Sequence, residues 1–264
     1  MLTVKNKKKS ILENKEELLK KKKKIKRIKR TTTFLIILIS ILITLCLKLP
    51  YFNIASIEVE GNQNLKTEYI IEASKITVGR NIFLTQKSEA ISNIKNNPYA
   101  TNVKIKTKFP NKINIVVTER QASFYIKSKD EFFIIDKDGI VLEKVKKIEN
   151  NNLIYINDLE FKNVELGGKI ELKNPERIST INNLCNTIYE YNKNEKRKIN
   201  TVGLNNFVDI KLYCDGDLYI NIGTEENLNE KLTKAINILK NEQLQGIKGY
   251  VDVSFDGNPV IYRN

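Results

Sequence analysis

The sequence of 264 residues contains no histidine and only three cysteines. Without histidine, the chain lacks the side chain that most often acts as a general base near neutral pH, and the commonest protein ligand of metal ions. Three cysteines do not build a disulfide framework. These absences exclude histidine-dependent hydrolases, histidine-ligated metal centres and disulfide-rich small domains.

The three cysteines all fall within apolar patterns. Cys46 lies in a long apolar segment, Cys185 on the apolar stripe of a predicted helix, and Cys214 on the apolar face of a predicted strand. We therefore predict that Cys185 and Cys214 are small buried hydrophobic residues. A disulfide between these two is the alternative, because this part of the chain is predicted to face an exterior that can be oxidising.

Motifs that could carry catalysis occur only as fragments. Ser92 and Lys95 match the S-x-x-K pattern of penicillin-binding enzymes, but the S-D-N and K-T-G motifs that accompany it are missing. Residues 136–139 lack the spacing and final glutamate of a calcium loop, and residues 167–169 lack most of a phosphate loop. No pair among the 31 acidic residues stands out as a general acid and base. The sequence predicts a protein that is not an enzyme, with no catalytic, cofactor or metal site.

A strongly apolar segment, Thr31–Leu49, directly follows a basic run, Lys20–Arg30. A helix of this length, at about 1.5 Å per residue, spans about 28 Å and can cross the hydrocarbon core of a bilayer. Nine of the 11 residues in the basic run are Lys or Arg, so this flank should stay cytoplasmic. A cleaved signal peptide fits less well, because no small-x-small site follows. We predict a cytoplasmic tail at 1–30, an uncleaved helix at 31–50 through the cytoplasmic membrane, and extracytoplasmic domains beyond it.

The net charge of +14 is concentrated in the tail. Residues 1–30 hold fourteen Lys or Arg and three Glu, a net charge of +11, which leaves +3 for residues 31–264. Beside a membrane helix, such a basic run holds topology and contacts anionic lipid. No nucleic-acid binding is expected, because no aromatic platform or recognition helix accompanies the charge.

Residues 51–120 are predicted to form a small α/β module in the order β-α-α-β-β. Alternating apolar residues predict strands near 54–60, 103–107 and 113–117. Apolar stripes predict short helices after Thr67 and over 86–95.

The remainder, 121–264, is longer and richer in predicted strands. Apolar stripes predict one helix that begins around Asn174-Pro175-Glu176 and another that opens at Thr224. The predicted fold class is α+β: one transmembrane helix, a small β-α-α-β-β module, and a larger mixed, β-rich domain with an antiparallel sheet and two helices. Strands are predicted near 124–126, 132–135, 140–142, 209–214, 218–222, 250–255 and 260–263.

The hairpin within 209–222 has a register that can be predicted. A two-residue loop would pair Leu212 with Tyr219 and mix the apolar and polar faces. A three-residue loop, Asp215–Asp217, pairs Leu212 with Ile220 and keeps the apolar residues together, so we prefer it. The apolar set on the first strand is Val208, Ile210, Leu212 and Cys214, and on the second strand Leu218, Ile220 and Ile222.

The order of these segments and several short motifs resemble the FtsQ/DivIB family of cell-division proteins, over about residues 20–264. The stretches that look like the POTRA module of that family are Ile57–Asn62, Gly79–Phe83, Asn97–Tyr99, Val103–Ile105, Phe109–Ile113 and Val117–Arg120. Those that look like its β domain are Phe133–Asp136, Gly139–Leu142 and Val251–Phe255.

The resemblance implies a non-catalytic scaffold at the division septum. Such a protein binds two other bitopic septal proteins, of the FtsL and DivIC/FtsB types, and helps control septal peptidoglycan synthesis. The resemblance also implies that the C-terminal strand is the docking edge, where a partner strand can add to the sheet. Because strand faces alternate, about half of the candidate residues are expected to lie in the core. The candidate partner-binding residues are Val260, Ile261 and Tyr262, supported by Tyr250 and Val251.

Two other classes of protein remain open from the sequence. A membrane-anchored cell-wall enzyme would need a nucleophile or an acid–base pair, and neither is recognisable. A POTRA-bearing component of a secretion or outer-membrane assembly machine would need further repeats or the long alternating segments of a barrel.

Overall fold

The structure is a computed structural model that describes residues 3–149, 152–205, 207–240 and 248–263. Residues 1–2 of the predicted tail, and residues 150–151, 206, 241–247 and 264 of the predicted β domain, lie outside the described residues. The chain divides into two compact units. The first comprises Met1–Glu58, Lys75–Lys87 and Ile105–Ile115, and the second comprises Val59–Ser74, Ser88–Lys104 and Val116–Asn264.

A single long helix, α1, runs from Thr3 to Lys48. In the described part of the chain it is the one helix long and apolar enough to cross a membrane, with its candidate span at Leu19–Lys48. The hydroxyl side chains in the apolar part of this span are satisfied within the helix, because Ser40 donates to the Ile36 carbonyl and Thr44 to the Ser40 carbonyl. The helix begins earlier than the predicted 31–50 segment because the lysine-rich tail consists of good helix formers.

The β-α-α-β-β prediction for the small module is confirmed. Its three strands form one sheet in the order β1-β3-β2. Apolar residues of both helices and of the paired strands are buried, including Ile70, Ile94 and Ile113. Short 3-10 turns occupy Pro50–Phe52 and Ile82–Leu84. The elements are β1 (Ser56–Glu60), α2 (Thr67–Ser74), α3 (Lys87–Lys95), β2 (Ala100–Lys108) and β3 (Lys112–Glu119).

The larger domain is built on a nine-stranded sheet in the order β14-β13-β12-β11-β10-β7-β4-β5-β6, beside a separate β8–β9 pair. Its strands are β4 (Ala122–Ser128), β5 (Glu131–Asp136), β6 (Val141–Val145), β7 (Ile154–Asn157), β8 (Phe161–Asn163), β9 (Glu171–Leu172), β10 (Ile199–Asn205), β11 (Asp209–Cys214), β12 (Leu218–Gly223), β13 (Gly249–Asp252) and β14 (Val260–Arg263). Two helices, α4 (Arg177–Asn194) and α5 (Leu228–Leu239), complete the domain.

The large sheet is mixed, which corrects the prediction of an antiparallel sheet. The pairs β4–β7, β7–β10 and β12–β13 are parallel. Parallel neighbours need long crossover connections, and here α4 lies between β7 and β10 in the chain and α5 between β12 and β13.

The core of this domain lies between one face of the sheet and the two helices. Alternate strand residues such as Leu212 and Ile220 share one buried cluster with Leu184 of α4 and Leu232 of α5. On β11, β12 and β13 the intervening side chains, among them Tyr213, lie on the opposite face and are half-exposed or exposed, whereas Ile134 on β5, which pairs with Tyr125, is buried. This part of the sheet therefore has one covered face and one open face.

The predicted hairpin register is confirmed for β11 and β12. Leu212 pairs with Ile220, and Asp215–Asp217 form the three-residue loop. The prediction for Val208 is wrong, because this side chain is 62% exposed. Its backbone amide donates to the Asn205 carbonyl in the turn that precedes β11, and the side chain of Phe207 is buried there instead.

Cys185 and Cys214 are buried free thiols, as predicted for small hydrophobic residues. Burial raises the pKa of the Cys185 thiol far above its ordinary value. Burial also raises the pKa of the Cys214 thiol, to about 12. Neither thiol is therefore activated as a nucleophile, and the alternative disulfide is not formed in this structure.

Candidate functional site

Strand β14 lies at one end of the strand order and β6 at the other. A strand in this position has a neighbour on one side only, so its outer backbone groups can pair with another chain. The exposed fractions are 49% for Val260, 42% for Ile261 and 51% for Tyr262, and Arg263 is also exposed. Both faces of β14 are therefore accessible, and three of its four side chains are large and apolar or aromatic.

Gly249 allows β14 to approach β13. The two strands are antiparallel, and Gly249 pairs with Arg263. At Gly249 φ is +131°, and a Cβ atom there would lie 2.2 Å from the carbonyl oxygen of Tyr262. A side chain at this position is incompatible with the observed backbone contact, so the attachment of the edge strand depends on glycine.

Asp252 fixes the start of the loop that leads from β13 to β14. Its carboxylate accepts hydrogen bonds from the backbone amide of Ser254 at 2.8 Å, the Ser254 hydroxyl at 2.6 Å and the Asn221 amide at 3.0 Å. Burial acts to raise the pKa of Asp252, but these hydrogen bonds outweigh it and hold the pKa below its ordinary value. Farther along the loop, Lys234 of α5 donates to the Gly257 carbonyl. The loop is thus tied to both the sheet and α5.

The open face of the sheet carries a row of tyrosines that ends at the edge. Cross-strand partners connect β4, β7, β10, β11, β12, β13 and β14 through one continuous line of residues. We call this line the tyrosine row, and it consists of Tyr125, Tyr155, Thr201, Tyr213, Tyr219, Tyr250 and Tyr262.

The last three rings of the tyrosine row, nearest the β14 edge, are stacked on one another. The ring centroids of Tyr219 and Tyr250 are 5.5 Å apart with an interplanar angle of 24°, and those of Tyr250 and Tyr262 are 5.2 Å apart with an angle of 20°. Such pairs stabilise neighbouring strands beyond the burial of their area. Tyr262 is the last ring of the row and lies on the last strand of the sheet.

The partner-binding residues predicted from the sequence lie on two neighbouring strands, β13 and β14. Val260, Ile261 and Tyr262 lie on β14 and are exposed, whereas Tyr250 on β13 is half-exposed. Val251 is completely buried and pairs with Ile261, so it supports the edge from the core side. The sequence analysis missed the tyrosine row, because recognising it requires the register of all seven strands.

Two adjacent side chains in a stretch that the resemblance also singled out lie at the end of the small module. Glu119 bonds within the module, and Arg120 bonds to residues of the large domain. The Glu119 carboxylate accepts hydrogen bonds from the backbone amides of residues 63–65, at 2.7–3.1 Å. Arg120 pairs with the buried Asp136 at 2.7 Å and with Asp138 at 3.2 Å. The charges of Glu119 and Arg120 are therefore satisfied by backbone amides and by opposite charges, which is the arrangement expected of structural residues.

The fragmentary catalytic motifs have structural explanations. Ser92 and Lys95 are exposed on α3, and residues 136–139 form the turn between β5 and β6. In the part of the chain that the structure describes, no group of three or more Cys, Asp or Glu side chains is arranged to hold a metal ion.

Comparisons with known proteins agree with this architecture. Residues 52–120 match the family described as "POTRA domain, FtsQ-type". The chain is 46% identical over 228 residues to "Cell division protein DivIB" of Clostridium botulinum strain Hall, covering 86% of this chain and 88% of that protein. It is 43% identical to the protein of the same name in Clostridium acetobutylicum, covering 84% and 87% of the two chains. It is 26% identical to "Cell division protein FtsQ" of Corynebacterium glutamicum, covering 78% and 87%.

An N-terminal apolar helix followed by an FtsQ-type POTRA domain and a mixed-sheet domain defines a class of membrane-anchored protein. The sequence identities of 43–46% with two DivIB proteins, over most of both chains, narrow this class to one family. The chain belongs to the FtsQ/DivIB family of cell-division proteins.

Proposed function

We propose that this protein is a non-catalytic scaffold of the division apparatus. Its α1 helix crosses the cytoplasmic membrane with the N-terminus in the cytoplasm, and residues 51–264 lie on the outer side at the septum. There it binds other bitopic septal proteins, of the FtsL and DivIC/FtsB types, and helps control septal peptidoglycan synthesis. The observation that carries the proposal is the accessible β14 edge, with exposed side chains on both faces.

The proposed orientation is supported by the charge distribution. The +11 tail directly precedes the apolar part of α1, whereas residues 31–264 carry only +3. A basic flank of this size is held on the cytoplasmic side and is attracted to anionic lipid there.

The proposed docking mode is addition of a partner strand to β14. Outer backbone groups of β14 would supply the hydrogen bonds, and its alternating side chains would supply selectivity. On one face, Ile261 rests on the buried Val251 and leaves 42% of its surface for the partner. On the other face, Tyr262 is backed by Tyr250, so its remaining ring face can stack on an aromatic side chain of the added strand.

The test uses proline at two successive positions of β14 in the full chain. Successive backbone N–H groups of a strand point to opposite sides, so one of Ile261→Pro and Tyr262→Pro removes an outward donor and the other removes a donor to β13. We expect the variant that lacks the outward N–H donor to lose its binding to FtsL- and DivIC-type proteins. It should keep the thermal unfolding midpoint of the parent chain. Unchanged capture by both variants would exclude this edge.

Two alanine variants test whether the partner binds at the β14 edge or along the whole tyrosine row. Tyr262→Ala should weaken capture by about tenfold, because a central aromatic contact contributes about 1–2 kcal/mol. Tyr213→Ala is the matched control, since this tyrosine is also exposed but lies on β11, away from the edge. Equal loss in both variants would indicate that the open face, and not the edge, binds the partner.

A further inference from the structure

A second exposed apolar surface lies in the first unit, next to the end of α1. Three chain segments contribute to it: the residues that follow α1, residues 75–87, and the turn between β2 and β3. Its side chains are large and well exposed, with 68% for Leu84 and 64% for Phe109. We call this surface the basal patch, and it consists of Tyr51, Val78, Phe83, Leu84 and Phe109.

Ring contacts make the basal patch continuous from the end of the helix outward. Tyr51 contacts Phe52 with ring centroids 5.3 Å apart, and Phe52 contacts Phe83 at 5.3 Å. Phe83 in turn contacts Phe109 at 5.5 Å. Since α1 ends at Lys48, the first ring of this chain of contacts follows the helix by three residues.

Asn81 fixes the basal patch to α1. Its side-chain amide donates to the carbonyls of Cys46 at 2.9 Å and Leu47 at 3.1 Å, which are among the last carbonyls of the helix and have no partner within it. The side-chain oxygen of Asn81 accepts from the Phe83 amide at 3.0 Å and so starts the turn that presents Phe83 and Leu84. One side chain thus both caps the helix and positions the patch.

The chain segments that contribute to the basal patch carry a net positive charge. Outside α1, the segments of the first unit (residues 49–58, 75–87 and 105–115) contain six basic residues and one acidic residue, Glu58. Glu58 is itself paired with Lys108 at 2.9 Å and with Lys112 at 3.6 Å. The six basic residues are Lys75, Arg80, Lys87, Lys106, Lys108 and Lys112.

We infer that the basal patch binds the bilayer interface, so that this end of the small module is inserted among lipid headgroups. Aromatic and aliphatic side chains flanked by Lys and Arg are the composition that partitions into this region and contacts anionic lipid. The patch is continuous with the end of α1, and its hydrogen bonds to the helix hold it at the boundary where the span ends. The inference rests on α1 crossing the membrane, which is part of the proposed function, and it is independent of the β14 edge.

The absence of tryptophan from the chain makes a direct test possible. The full-length Phe83→Trp variant is reconstituted into vesicles of phosphatidylcholine and phosphatidylglycerol whose acyl chains are brominated near the headgroup. Bromine quenches a tryptophan only on contact, so we expect loss of its emission relative to unbrominated vesicles. Leu84→Trp should show the same loss and provides a second variant if Phe83→Trp does not fold.

Two controls define the outcomes. Tyr189→Trp, on α4, matches Phe83 in exposure at 45% against 46% and should keep its emission. Leu42→Trp lies near the middle of the apolar part of α1 and should be quenched in a second set of vesicles, whose acyl chains are brominated near their ends. If Leu42→Trp is quenched while Phe83→Trp and Leu84→Trp behave like Tyr189→Trp, the basal-patch inference is overturned and the membrane span stands. If Leu42→Trp is not quenched, the span itself fails, and the inference fails with it.

Discussion

Gly249 lies directly against the backbone of β14, and its lack of a side chain is a physical requirement. A Cβ atom there would be 2.2 Å from the Tyr262 carbonyl oxygen, in a conformation with φ of +131°. Backbone strain of this kind costs about 1–3 kcal/mol at a non-glycine residue. The position of the proposed docking edge therefore depends on Gly249, a residue of the neighbouring strand β13.

We predict that Gly249→Ala displaces β14 and lowers both stability and partner capture. The loss in the free energy of unfolding should be about 1–3 kcal/mol, measured by thermal or chemical unfolding of the full chain in detergent. Gly79→Ala is the matched control, because Gly79 also has a positive φ, of +88°, but has open space where its Cβ would lie. If Gly249→Ala lowers the free energy of unfolding no more than Gly79→Ala and still binds the partner fully, the close contact between Gly249 and β14 determines neither stability nor binding.

Individual residues of the edge were predictable only in part. The sequence indicated that Val260, Ile261 and Tyr262 belong to a C-terminal strand, and it expected alternation between exposed and core positions. The structure leaves all three exposed because β14 is the last strand, and it buries Val251 on the neighbouring strand. Exposure at an edge depends on which elements cover it, and a single sequence does not contain that information.

Strand register was predicted for one hairpin, whose two strands are neighbours in the chain. The β11–β12 hairpin followed from keeping two apolar sets on one face, and its three-residue loop is confirmed. The parallel pairs could not be predicted, because their strands are not neighbours in the chain. A helix separates β7 from β10 and β12 from β13, two strands separate β4 from β7, and β7 is only four residues long. The tyrosine row crosses both kinds of pair, so it emerged only from the structure.

The outer end of the tyrosine row gives a quantitative test of how β14 is held. Tyr250 and Tyr262 are stacked at 5.2 Å, and such aromatic pairs contribute about 0.5–1.5 kcal/mol beyond area burial. A double-mutant cycle with Tyr250→Ala, Tyr262→Ala and the double variant should show a coupling energy of this size. The readout is amide hydrogen exchange of β13 and β14 in the full chain. Additive effects of the two substitutions would show that the stacking does not stabilise the strand.

In the proposed function and the further inference, the whole chain combines a membrane helix with two surfaces that bind different partners. The basal patch, rich in aromatic and basic residues, is suited to lipid, whereas the β14 edge, with open backbone groups, is suited to a protein strand. The anchor and the small module were predictable from hydropathy and periodicity. The basal patch was not, because Tyr51, Phe83 and Phe109 come from segments far apart in the chain.

The proposed pairing of a septal partner with β14 can be tested by amide hydrogen exchange of the full-length protein, alone and in complex with FtsL- and DivIC-type proteins. We expect the amides of residues 260–263 to become protected in the complex, whereas those of residues 141–145 on β6, at the opposite edge, should not change. A complex that forms with the exchange of β14 unchanged, or with protection at β6 instead, would contradict it.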